Sequence, residues 1–201
     1  MNKLTKTSAD TSFVFTALVL AALSASPAAV HAAGTVNSTF EARPVVQGVP
    51  LQLNGAGTRY RAIFKVYDMA LYTPAKVNTP ESLIAMQGPK RLSFVALRDL
   101  PGTDLGLAFI KGLTNNSPAE LVQKHTASST RLIEIFSGKA KLSAGDTFAM
   151  EFVPGKGTTF YIQGQAQGAP IGDAEFFSMV LRIWIGPVPA DFKLKDALLG
   201  L

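Results

Sequence analysis

The chain predicts an α+β fold built on a mainly antiparallel sheet. Three observations carry this. Its segments run as strands, then helices, then strands and a helix, without the regular strand–helix alternation of a parallel α/β protein. Asp146–Val153 and Thr158–Gln163 flank the turn Pro154-Gly155-Lys156-Gly157 and read as a β-hairpin. Behind Asp173, the residues Phe176, Phe177, Val180, Leu181, Ile183 and Trp184 recur at helical spacing, so a last helix lays one apolar side on the sheet.

Residues 1–32 stand apart. Lys3 and Lys6 precede an apolar run, Phe13–Ala22, broken only by Thr16, and Val30-His31-Ala32 ends in a signal-peptidase pattern. The reading is a signal peptide, 1–32, and one domain, 33–201, exported to the periplasm or secreted. No later segment is long and apolar enough to span a membrane. The 19 Lys and Arg against 14 Asp and Glu give a formal charge of +5, scattered without basic runs, which argues against nucleic-acid binding. The absence of cysteine excludes disulfides, thiol catalysis and thiolate metal sites. His125 is the one histidine beyond the leader. It falls in a Ser- and Thr-rich helix and reads as a surface residue, so no metal site and no cofactor are expected.

Element by element, Ala33–Val46 is a polar lead or a short edge strand, and Asn54-Gly55-Ala56-Gly57 is a turn. Arg61–Tyr72 reads as one strand. Ile63, Tyr67, Met69 and Leu71 share one parity, while Ala62, Phe64, Val66 and Ala70 share the other, so both faces are covered except at Lys65 and Asp68. Thr79 caps a short helix with Pro80 in its first turn. Arg91–Arg98 is a strand with Leu92, Phe94 and Ala96 on one face. Thr103 caps a helix carried by Leu107, Ile110 and Lys111. Asn115-Asn116-Ser117-Pro118 breaks it, and Ser117 caps one further helix that runs through the polar stretch His125–Thr130 to Phe136. A short strand covers Gln165–Ile171, and Pro187–Leu201 is a turn with a closing helix.

Two glycine motifs carry no nucleotide chemistry. Gly155-Lys156-Gly157-Thr158-Thr159 joins two strands, where a phosphate loop must join a strand to a helix, and Gly55-Ala56-Gly57 lacks the third glycine of a dinucleotide fingerprint. Arg59 and Arg61 are different. A guanidinium stays charged and presents a planar fork of donors suited to a carboxylate, phenolate or enolate oxygen. Tyr67 shares their parity. On one straight strand the eight residues from Arg59 to Tyr67 would span about 26 Å at roughly 3.3 Å each. The two can hold one ligand head only if the chain reverses near Tyr60–Ala62.

Gly55-Ala56-Gly57-Thr58-Arg59, the run Phe64–Tyr72, the helix Phe176–Gly186 and the tail Asp191–Gly200, with the strand at Lys90–Arg98 and the hairpin at Asp146–Tyr161, resemble the chalcone isomerase superfamily. The look is nearest to its exported bacterial members. The resemblance implies an open-faced β-sandwich, a large antiparallel sheet covered by a layer of helices, with a ligand cleft between them. Plant members close a chalcone to a flavanone; non-catalytic members bind fatty acids, with an arginine and a tyrosine near the carboxylate. The enzyme's arginine matches Arg59, or Arg61 if the shorter connection shifts the role, and would serve as oxyanion stabiliser. Its strand threonine falls at Tyr67. Its helix tyrosine is missing, since no tyrosine lies between Tyr72 and Tyr161. Its specificity pair falls at Ile183 and Trp184, and its asparagine at Asn115 or Asn116.

With those hydroxyls lost and the cation kept, the resemblance implies a protein that binds a small amphipathic anion, such as a fatty acid, without catalysis. Arg59 or Arg61 and Tyr67 would stand at the polar end, with Ile63, Met69, Ile183 and Trp184 as lining. The alternatives are an isomerase or lyase acting on a chalcone-like, phenolic enone, and an interaction module whose core is packed shut behind Tyr67 and Trp184.

Overall fold

The computed structural model describes residues 36–201, together with Met1 and Ala29–Val30. The expected leader, residues 1–32, lies almost wholly outside these described residues. Six strands form one antiparallel sheet in chain order: β1 (Gln52–Arg61), β2 (Phe64–Thr73), β3 (Lys90–Ala96), β4 (Thr147–Val153), β5 (Gly157–Ile162) and β6 (Gln165–Ala166). Between them come α1 (Pro80–Ala85), then α2 (Gly102–Asn116), α3 (Ala119–Lys124) and α4 (Thr126–Ser137) between β3 and β4, and finally α5 (Ala174–Ile185) and α6 (Phe192–Leu198). The α+β, helix-covered antiparallel sheet expected from the sequence is present.

Alternation sorts the sheet's two faces. Tyr67, Met69 and Leu71 of β2 stand opposite Ala96, Phe94 and Leu92 of β3, and Phe94 and Leu92 stand opposite Phe148 and Met150 of β4. These residues are buried under the helices. Phe94 stacks on Phe148 at 4.2 Å, and α5 lays Phe177 on Phe152 at 4.6 Å. Burying one such aromatic side chain contributes roughly 1.5–3 kcal/mol, and this layer is the main core. The opposite face is covered in part by residues 36–51. Phe40, Val46 and Leu51 pack on Ala70 and Tyr72. Asp68, fully buried, accepts from the Ser38 N–H at 3.0 Å, the Ser38 hydroxyl at 2.6 Å and the Thr58 hydroxyl at 2.5 Å. The expected polar lead is thus a strap pinned to the sheet. Within it Phe40–Glu41 pairs antiparallel with Ala29–Val30, and Val45–Val46 with Val49–Pro50.

Local chemistry explains the starts of α1, α5 and α6. The Thr79 hydroxyl accepts from Ser82 N–H, with Pro80 opening α1, and the Asp173 carboxylate accepts from Phe176 N–H to open α5. Four expectations need correction. Pro101 and Pro118 occupy the caps of α2 and α3, where Thr103 and Ser117 were expected, and no side chain bonds there. The single helix through His125 is two helices that break at that residue. His125 is also no surface residue: its ring is buried, its Nε2 lies 2.7 Å from Glu175 Oε2, and it packs 5.8 Å from the Phe176 ring. Nor do Gly55 and Gly57 make a turn. They lie inside β1, where α6 crosses the strand.

That crossing fixes the C-terminal end of the chain. A Cβ on Gly57 would sit 2.7 Å from Ala197 Cβ, and one on Gly55 would collide with the Ala197 carbonyl. The β1–β2 register shifts between Leu53 and Gly55, and the intervening Asn54 turns its amide to the Val77 backbone and to Leu198 O at 2.7 Å. Asp191 caps α6 and also accepts the Tyr60 N–H at 2.8 Å. The loop before α6 is held by Asn116, whose amide accepts from Val188 N–H at 2.9 Å and donates to Val188 O at 2.8 Å. This loop becomes one wall of the site.

Candidate functional site

The strand expected at Arg61–Tyr72 is the second arm of a hairpin. The chain reverses at Ala62–Ile63, with Ala62 at φ +54°, and Arg59 on β1 becomes the direct cross-strand partner of Tyr67 on β2. The reversal that strand geometry demands is therefore present, one residue beyond Tyr60–Ala62 at its far end. A second register shift, between Arg59 and Tyr60, leaves Val66 without a β1 partner of its own. Arg59 and Tyr67 are thereby presented together on the helix-covered face.

They stand at the wall of a cavity of about 390 Å³ between the sheet and α2, α4 and α5. That volume lies in the range of small-molecule sites. The sheet supplies Tyr67, Phe148 and Met150. Helix α2 supplies Leu105, Ala108, Phe109 and Gly112, with Lys111 and Asn115 as its polar contributions. Phe136, Ile183, Trp184 and the loop Val188–Ala190 complete the enclosure. Gly112 is required by sterics: a Cβ there would lie 2.7 Å from Ile183 Cγ2, so only glycine lets α2 approach α5 this closely.

The polar chemistry is concentrated. Trp184 Nε1 donates to Tyr67 Oη at 2.7 Å, and the Arg59 guanidinium carbon lies 5.5 Å from the centre of the Tyr67 ring. Phe94 and Phe148 hold that ring edge-on, at 5.4 and 6.3 Å. Burial pushes the Tyr67 pKa above its ordinary value; the Arg59 charge and hydrogen bonding by Trp184 and by the Arg59 guanidinium oppose this, and Asp191 adds to it. The phenol stays protonated at neutral pH. Its oxygen already accepts from Trp184, and its own proton has no acceptor among the described residues, so it is available to a ligand. Arg59 Nε is likewise buried without a hydrogen-bond partner, and Arg59 forms no ion pair among the described residues. A buried unpaired donor is costly and uncommon. A guanidinium and a protonated phenol thus stand together at the wall of a mostly apolar cavity, an arrangement suited to a carboxylate or an oxyanion.

Of the residues singled out from sequence, the structure brings Arg59, Tyr67, Ile183 and Trp184 to this cavity. Three do not line it. Arg61 is exposed at the strand end, which leaves Arg59 as the cavity's arginine. Ile63 is 83% exposed at the hairpin turn, because the chain reverses where a straight strand was read. Met69 points toward the helices but is sealed in the core beyond the cavity. Of the two candidate asparagines, Asn115 lines the cavity and Asn116 latches the loop.

The α2 wall was missed because Leu107 and Ile110 suggested the buried side of that helix. Both are exposed, at 66% and 37%. The spacing Leu105, Ala108, Phe109, Gly112 was the available signal. His125, Asp173 and Glu175 form a group whose ligand atoms lie within 4.8 Å of one another. Each already has a structural tie: Glu175 binds His125 and Lys124, and Asp173 caps α5. None of the three lines the cavity.

A family model described as chalcone isomerase-like matches residues 32–200. The chain belongs to the chalcone isomerase-like family. The fold agrees with that of the crystal structure of a fatty-acid binding protein from Arabidopsis thaliana, with a TM-score of 0.62 over 81% of this chain and 91% of the plant one, at 16% identity. No curated protein sequence matches the chain. Among the described residues of this chalcone isomerase-like protein, no helix is long and apolar enough to cross a membrane.

Proposed function

We propose that the protein binds a single-chain amphipathic anion, such as a fatty acid, in the cavity between sheet and helices, without transforming it. The observation that carries the reading is the unpartnered Arg59 Nε beside the protonated Tyr67 at the wall of an otherwise mostly apolar cavity. Arg59 would form charge-assisted hydrogen bonds to the carboxylate and Tyr67 would donate one more, while Phe109, Phe136, Phe148 and Ile183 would take the chain. The fatty-acid binding of the plant protein of similar fold supports the reading. The leader pattern Lys3–Ala32 supports export to the periplasm, as in bacterial members of the family. Native mass spectrometry of gently purified protein is expected to show a bound acyl species that Arg59→Ala loses. A ligand-free spectrum together with unchanged fatty-acid titration in Arg59→Ala would end the proposal.

A second reading is kept by the same two donors, since a cation and a neutral phenol beside one cavity are also what an oxyanion requires. The substrate would be a phenolic enone of the chalcone kind and the reaction an intramolecular addition. Turnover above the spontaneous rate, abolished by Arg59→Ala, would favour it. The third reading, a module packed shut behind Tyr67 and Trp184, sits poorly with an open cavity bordered by both.

A further inference from the structure

Large apolar side chains stand in solvent beside the cavity. At the tip of the β1–β2 hairpin Ile63 is 83% exposed, Phe64 59% and Tyr60 36%. Phe192, at the start of α6, is 65% exposed, and its neighbour Asp191 holds the Tyr60 N–H, so the two segments lie side by side. Val188, half exposed, belongs to the same loop and borders the cavity itself. Singly exposed apolar residues need no account, but these gather on two adjoining segments, one carrying Arg59 and the other Val188 to the cavity wall.

The charges around them have one sign. Arg61 and Lys65 flank the tip and are exposed, Lys193 follows Phe192, and Lys111 stands at the cavity on the α2 side. Across residues 59–65 and 187–193 the sole acid is Asp191, and its carboxylate is occupied by the N–H groups of Tyr60, Lys193 and Leu194. A convex apolar tip ringed by Lys and Arg is the pattern of interfacial anchors: aromatic and aliphatic groups enter the headgroup boundary while cations meet anionic lipid. A protein partner would need a matching hollow, and it would gain nothing from the tip's nearness to the cavity.

We propose that the hairpin tip and the start of α6 dock on the surface of an anionic lipid bilayer and lay the cavity opening against it, so that an amphipathic anion passes between bilayer and cavity shielded from water. The cargo in this proposal rests on the binding function proposed above; the docking does not.

Flotation of the purified full chain with vesicles tests it, using phosphatidylcholine alone and an equal mixture of phosphatidylcholine and phosphatidylglycerol. Binding to the mixed vesicles is expected, weakened by salt. Ile63→Ser with Phe64→Ser, both at exposed positions, is expected to lower partitioning about tenfold or more. Arg61→Glu with Lys65→Glu is expected to abolish the preference for the anionic vesicles. Fatty-acid titrations of both variants, followed by Trp184 fluorescence, should match the parent. Flotation that survives both pairs of substitutions belongs to another segment, such as Phe13–Ala22, and overturns the proposal. Self-association lost in the tip variants, with no vesicle binding by the parent, overturns it in favour of a second copy. If titration fails while flotation follows the expected pattern, the cavity reading falls and the docking stands. If titration succeeds and flotation fails, only the docking falls.

Discussion

Tyr67→Phe separates the two duties of one hydroxyl. The oxygen accepts from Trp184 Nε1 at 2.7 Å in a buried setting, with Tyr67 4% and Trp184 5% exposed. Removing it leaves a buried indole N–H without a partner, which costs about 1–3 kcal/mol. In a chain of this size each kcal/mol lowers Tm by roughly 2–4 °C. The ring itself is kept, so its edge contacts with Phe94 and Phe148 persist and the loss is assigned to the hydrogen bond. Urea unfolding followed by far-ultraviolet circular dichroism gives the stability. The cycle with Trp184→Phe isolates the pair, and a coupling of about 1 kcal/mol is expected. In the proposed reading the same variant loses the donor offered to the ligand carboxylate, so fatty-acid affinity is expected to fall by about 10–100-fold, the worth of one hydrogen bond to a charged group. Stability within about 0.5 kcal/mol of the parent and no coupling would refute the claim that this bond sets the cavity's polar end.

Three further outcomes follow from the packing. Burial pushes the Lys90 pKa down to about 8, and its ammonium donates to Met86 O at 2.5 Å. Below pH 8 both folded and unfolded chains hold the proton and the burial cost is present in full. Between about pH 8 and the ordinary lysine value the native state releases it first, so stability rises with pH. Lys90→Met is expected to stabilise the protein at pH 7 by about 1–3 kcal/mol and to flatten that rise, as measured by urea titrations across pH. Gly55→Ala should displace α6, with a loss of at least about 1–3 kcal/mol, because the obstacle is backbone; thermal unfolding checks it. Gly112→Val should wedge α2 from α5 and narrow the cavity, so fatty-acid capacity in native mass spectra falls more than stability does.

The pattern of success and failure in the sequence has physical reasons. The Asp146–Gln163 hairpin and α5 were legible because their signals are local: a Gly-rich turn between β-branched runs, and an Asp cap before an apolar stripe. Gly55-Ala56-Gly57 misled because the need for glycine there is tertiary, the close passage of α6 over β1. The Ala62–Ile63 turn was silent because it carries none of Gly, Pro, Asn or Asp, and Ala62 takes a left-handed φ that L-residues seldom adopt. Distance arithmetic on Arg59 and Tyr67 still demanded that reversal. His125 was misjudged because its partner, Glu175, lies fifty residues away in sequence. The polar pair of the site was legible through family resemblance, whereas its α2 wall was hidden by the two exposed apolar residues on that helix.

In the proposed reading Arg59 anchors an anionic head at the polar wall of the cavity. Trp184, the single tryptophan of the chain, borders that cavity and reports its occupancy. Titration of the parent and of Arg59→Met with a long-chain fatty acid and with the alcohol of the same length measures the claim directly. The variant is expected to lose about 10–100-fold in affinity for the acid, the worth of a charged hydrogen bond, and little for the alcohol. Equal affinity of parent and variant for the acid would contradict it.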